Sequence, residues 1–104
     1  MTKITANKKE YPGKTILYMS AKDHAEASAL VCAGISAIMY ALAGFVVNEM
    51  GTLNCKITLE SGYAKVCCEM TERTMAAFET ALIGLIQISL SYPEEMKINQ
   101  DIWA

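Results

Sequence analysis

Histidine is nearly absent from this chain: His24 is the only one in 104 residues. A metal centre would have to rest on cysteines and carboxylates, and zinc ordinarily takes four ligands. The four cysteines, Cys32, Cys55, Cys67 and Cys68, match no zinc or disulfide spacing. Neighbours Cys67 and Cys68 would point to opposite faces of a strand and so cannot hold one ion together. Neither metal nor cofactor is expected, and unpaired thiols suit a reducing cytoplasm. Positive charge is also short, with nine Lys and Arg against eleven Asp and Glu and a net charge of −2. That balance leaves no electrostatic footprint for nucleic acid, while a weakly acidic surface suits a basic protein partner. The N-terminal MTKITANKKEYPGK lacks the apolar segment and small-residue cleavage site of a secretory signal. Linkers, repeats and low-complexity stretches are missing too, so one domain over residues 1–104 is expected.

Apolar side chains are what the chain has in quantity, at 53%, enough for one compact core. From Ala29 to Val47 the sequence carries no charge over the length of a membrane span. No Lys or Arg flanks that run to set an orientation. The segments on either side read as amphipathic strands that would lose their cover if it left for a bilayer. A helix apolar all round is therefore read as a central one, part of whose surface meets the second helix or another copy of the chain. No membrane contact and a homodimer are expected.

KITANK (3–8) alternates, with Ile4 and Ala6 on one face and Lys3, Thr5 and Asn7 on the other. YPGK (11–14) is a turn signal, and TILYMSA (15–21) reads as the second strand of a hairpin. After the long helix, polar NEMGT (48–52) offers Gly51 as the left-handed residue that closes it. NCKITLE and YAKVCCEM flank Ser61-Gly62, and a two-residue loop there pairs Glu60 with Tyr63. Cys55 then faces Cys68, Ile57 faces Val66 and Leu59 faces Ala64, with Lys56, Thr58, Lys65 and Glu69 on the other side. TERTMAAFETALIGLIQISLSY opens on Thr71 as an N-cap, carries Met75, Phe78, Leu82, Leu85 and Ile86 at helical spacing, and stops at Tyr92-Pro93. MKINQ (96–100) is a short last strand. The order β-β-α-β-β-α-β predicts an α+β fold, a largely antiparallel sheet with two helices packed on one face.

Cys32 and His24 are the candidates for chemistry, a thiol nucleophile and its base. By composition alone they are a core cysteine and a surface histidine. If Asp23 caps a helix that starts at His24, with Glu26 completing a capping box, eight residues of helix hold the two side chains about 12 Å apart. If Ser28 is the cap instead, residues 25–27 become a loop that can fold His24 back over Cys32. There the positive end of the helix and a nearby imidazolium would both favour a thiolate.

The same residues resemble a known family. DHA (23–25) is similar to a G-H-A histidine motif, LVCAGISAI (30–38) to a D-I-V-C-A-A-V-S cysteine motif, and ALIGLIQISLSYPEEMKI (81–98) to an L-x-G-L-x-x-I-x-x-x-Y-P tail. All three belong to the ribosomal-processing cysteine protease (Prp) family, and the likeness runs over essentially the whole chain. It implies a Cys–His dyad hydrolase without cofactor, acting on a protein or peptide. In the family the substrate is an N-terminal extension of a large-subunit ribosomal protein, or a phage structural protein, cut beside aromatic residues. Carried over by position, Cys32 is the nucleophile, His24 the general base, and Ser36 matches a family serine that positions a partner. Read from the helix alone, Ser36 bonds back to a carbonyl. Tyr40 and Tyr92 are candidates to line a groove for an aromatic substrate residue.

The departures lie around the candidate pair. The interval from histidine to cysteine is several residues shorter than in the family, AEASALV has no glycine, Asp23 replaces the glycine before the histidine, and Ala29 stands where an Asp is usual. The second expectation is accordingly a catalytically inactive or altered member of the same fold, a dimeric module that binds a peptide or protein without cutting it.

Overall fold

Alternation extends over the whole N-terminal hairpin. A computed structural model of the chain describes residues 1–24 and 27–103. In it β1 (Thr2–Tyr11) pairs antiparallel with β2 (Lys14–Lys22). Gly13 in the connecting turn has φ 81, an angle glycine adopts without a Cβ penalty. Helix α1 (Ala29–Asn48), strands β3 (Lys56–Glu60) and β4 (Tyr63–Glu69), helix α2 (Glu72–Ser91) and β5 (Met96–Gln100) follow. The strands form one sheet in the order β3-β4-β2-β1-β5. Its neighbours are antiparallel except β5, which the α2 crossover returns parallel to β1, with Thr2 opposite Met96. The fold is α+β in the expected order, with a mixed sheet.

One face of that sheet is the core. Ile4, Ala6, Leu17, Met19, Ala64, Val66 and Cys68 are all 2% exposed or less. They meet Val31, Ile35, Met39 and Val46 of α1 and Phe78, Leu82 and Leu85 of α2. Both helices are long and apolar enough by composition to cross a membrane. Each nevertheless lays a stripe at three- and four-residue spacing on the sheet. Burying a side chain such as Phe78 or Leu82 there contributes about 1.5–3 kcal/mol. Thr71 caps α2 as expected: its hydroxyl accepts from the Thr74 N–H, and its own N–H donates to the Thr74 hydroxyl at 2.7 Å.

Two local expectations are corrected. Gly51 does not close α1, whose C-cap is the extended Glu49, its N–H on the Phe45 carbonyl; Gly51, at φ 84, turns the chain two residues later. The chain leaves α1 at Glu49 in an extended conformation (φ −77, ψ 121), which any residue adopts, so the helix end needs no glycine. Similarly, the β3–β4 ladder carries the expected Glu60–Tyr63, Leu59–Ala64 and Ile57–Val66 pairs but ends at Lys56–Cys67, one pair short of Cys55 and Cys68. Asn54, at φ 54 with its amide on the Glu69 carboxylate, bends the chain there. Cys68 is in the core and Cys55 is exposed.

Candidate active site

Where α1 begins decides whether an imidazole can reach the thiol. Ser28 is the N-cap, in a non-helical conformation (φ −57, ψ 155), and its hydroxyl accepts from the Val31 N–H. The alternative start is not used. Asp23 lies at φ 63, left-handed and unlike a helix cap, while Glu26, its supposed capping-box partner, and Ala25 lie outside the described residues. Of the expected 25–27 loop, Ala27 is described: half-buried, with its N–H on the His24 carbonyl at 3.3 Å. Asp23 occupies the position where the resemblance has glycine. A short polar side chain is among the few that tolerate the left-handed region, which accounts for the exchange.

A residue the sequence reading did not single out fixes this start. Glu95, in the turn before β5, accepts the Ser28 N–H and hydroxyl with its two carboxylate oxygens, and its carbonyl accepts the Thr2 N–H at 2.9 Å. A carboxylate at a helix N-terminus also meets the positive end of the dipole. YPEEM carried no signal for this, because the contact spans 67 positions.

Three side chains then converge. His24 is 5% exposed, its N–H is on the Gly62 carbonyl at 3.3 Å, and the preceding carbonyl of Asp23 accepts from the buried Thr2 hydroxyl at 3.4 Å. Its Nδ1 lies 3.6 Å from Cys32 Sγ and 3.5 Å from Ser36 Oγ. Cys32 and Ser36 are one turn apart on α1, so the ring spans two successive positions of one helix face. Cys32 is half-buried, still partly open to solvent. The other ring nitrogen, Nε2, is buried without a hydrogen-bond partner. Burial pushes the His24 pKa down from 6.5, leaving a neutral ring at pH 7. With the ring proton on Nε2, the Nδ1 lone pair faces the thiol and can take its proton.

The remaining candidates sit further out. Tyr40 is exposed one turn beyond Ser36, continuing the face that bears Cys32, and Tyr92 is the half-buried C-cap of α2. The groove of about 550 Å³ between the helices is lined by Ile38, Phe45, Arg73 and Ala77 among others and contains neither Cys32 nor His24. Cys67 and Cys68 do face opposite sides of β4, opposite Tyr18 and Leu17. Burial pushes the Cys68 thiol up to about 12 and that of Cys67 upward as well.

A half-buried thiol near the start of a helix, within reach of an imidazole, brings together the two groups that nucleophilic thiol chemistry requires. The family model for the cysteine protease Prp matches residues 1–97, and the chain belongs to that family. Among solved structures, the essential ribosomal processing protease Prp from S. aureus, in complex with a substrate peptide, has a TM-score of 0.76 at 17% identity, covering 97% of this chain and 100% of that one. The same protease with a covalently linked product peptide gives 0.75 at 18%, again covering 97% and 100%. A Streptococcus mutans protein gives 0.71 at 18%, covering 96% and 93%. At these identities the likeness is one of fold. No curated protein matches the sequence.

Proposed function

We propose that the chain is a cysteine endopeptidase in which Cys32 attacks the substrate carbonyl and His24 serves first as base, then as acid. The observation that carries this reading is the 3.6 Å separation of Cys32 Sγ and His24 Nδ1. Nδ1 takes the thiol proton as sulfur bonds to the scissile carbon. The resulting oxyanion is stabilised by N–H groups at the very start of α1, ahead of Val31, whose own N–H is on the Ser28 hydroxyl. Collapse expels the amine, protonated by His24, and leaves a thioester that water hydrolyses with His24 again as base. Ser36, on the same nitrogen, positions the ring. Tyr40 and Tyr92 flank the substrate.

The substrate class follows the family: an N-terminal extension of a large-subunit ribosomal protein, or a phage structural protein, cleaved in the cytoplasm. A homodimer through α1 fits the surface, since this helix has no charged residue and leaves Leu30, Tyr40 and Val47 between 54% and 68% exposed.

Alkylation of Cys32 tests the pair. Cys55 is the competing exposed thiol, so the measurement belongs in Cys55→Ser. Fast labelling near pH 7 that His24→Ala slows supports the dyad. Labelling no faster than an ordinary thiol of pKa about 8.5 leaves the binding-only module. Cleavage of a peptide bearing the ribosomal extension, followed by mass, then identifies the bond.

A further inference from the structure

The helices leave the other face of the sheet uncovered, and strand alternation has sorted charge onto it. Residues paired across strands share a face, so the registers give its rows. One row reads Glu60, Tyr63, Lys22, Lys3, Lys97 across β3, β4, β2, β1 and β5. The next reads Lys65, Ser20, Thr5, Asn99, and a third Lys56, Cys67, Tyr18, Asn7. With Lys9 and Lys14 in the same alternation, all the lysines except Lys8 lie on this side. The net charge of −2 conceals this because it also counts carboxylates away from the face, such as Glu72 and Glu79 on α2 and Glu49 at the end of α1.

Among the described residues no ion pair neutralises the row. Lys3 has Lys22 on one side and Lys97 on the other, about 5 Å away by strand spacing, and like charges placed opposite each other destabilise a sheet. Among the described residues the one salt bridge is Arg73–Glu49, on the helix side. The acidic side chains in this alternation, Glu60 and Glu69, lie at the β3–β4 margin.

We propose that this face docks a single-stranded nucleic acid, phosphates along the lysine rows and bases against Tyr63 and Tyr18. Unpaired bases stack on aromatic rings, and a flat sheet presents several at once. A duplex groove instead takes a helix or two-stranded ribbon. A second copy would set the lysine row against itself, and a lipid surface would require exposed aliphatic side chains among the lysines, where the registers place half-buried Ile16. The Lys22 end of the row leads through Asp23 into His24, so a bound strand lies beside the candidate site. The inference rests on the sheet and stands or falls separately from the Cys32–His24 dyad.

Fluorescence anisotropy of a labelled single-stranded RNA of about 20 nucleotides, with the same sequence as DNA in a parallel arm, measures it. Binding is expected at about 50 mM salt, weakening at least about tenfold by about 200 mM. The triple variant Lys3→Gln, Lys22→Gln, Lys97→Gln should bind at least about tenfold more weakly, with a log–log salt slope smaller by about 2. Lys8→Gln should bind as the parent does. Removing mutual repulsion should leave the triple variant folded, checked by circular dichroism; if it is not, Lys56→Gln with Lys65→Gln provides the same comparison. No binding at low salt, or binding undiminished in the folded variants, overturns the proposal. So does equal binding to poly-glutamate or tighter binding to phosphatidylserine vesicles, which would assign the face to an acidic protein or a membrane.

Discussion

Glu95 holds Ser28 at two points, the backbone N–H at 2.6 Å and the hydroxyl at 3.3 Å. The turn after the second helix thereby determines where the first one starts, and with it the height of Cys32 relative to His24. Glu95→Ala removes both bonds together with the favourable charge at the helix end. It should cost about 1–2 kcal/mol in stability, read as a lower melting temperature. It should also slow Cys32 alkylation, with Glu95→Gln falling between.

The pH response follows from the buried ring. His24 is held below 6.5 by desolvation, so as pH falls the unfolded chain takes up this proton before the folded one. Its contribution to stability is intact above about pH 6.5 and is lost below that, as the pH falls toward the lowered folded-state value. Urea denaturation at about pH 7.5 and 5.5 should show the decline, smaller in His24→Gln. Being the only histidine, the ring also gives one unambiguous NMR titration, expected below the ordinary value.

How far the sequence displayed this architecture depended on the distance over which each feature is encoded. Alternation in β1 and β2, the Thr71 cap and the β3–β4 register are local patterns, and they are where the periodicity placed them. The start of α1 was an open choice between Asp23 and Ser28, because both are good caps on paper. A backbone angle at Asp23 and a carboxylate 67 positions from Ser28 decided it, and neither has a local signature. Cys55 was misplaced because a register continues on paper past the bend at Asn54. The lysines on the open sheet face are scattered along the chain, and only strand order collects them.

Asp23 offers a test of the turn that aims His24. A β-branched side chain at φ 63 is strained, and the left-handed penalty is about 1–2 kcal/mol. Asp23→Val should lose stability on that scale and, by tilting His24, slow Cys32 labelling. Asp23→Gly removes the strain but frees the unfolded chain, and the two effects oppose within about 1 kcal/mol. Its melting temperature should stay near the parent's, with Cys32 labelling retained.

Gly84, in the middle of α2, packs against Ile38 of α1: a Cβ built there would lie 2.9 Å from Ile38 Cδ1. That methyl is the end of a side chain, so Ile38 can yield, though it leaves its preferred packing to do so. Gly84→Ala therefore combines a helix-propensity gain of about 0.5–1 kcal/mol with a steric loss, and should change stability little. Ile38→Val alone removes the methyl and should cost about 0.5–1.5 kcal/mol. In the Ile38→Val background the obstruction is gone, so Gly84→Ala should recover its full propensity gain. A double-mutant cycle on urea stability should accordingly show favourable coupling between the two changes, whereas strict additivity would mean that Ile38 does not set the helix separation.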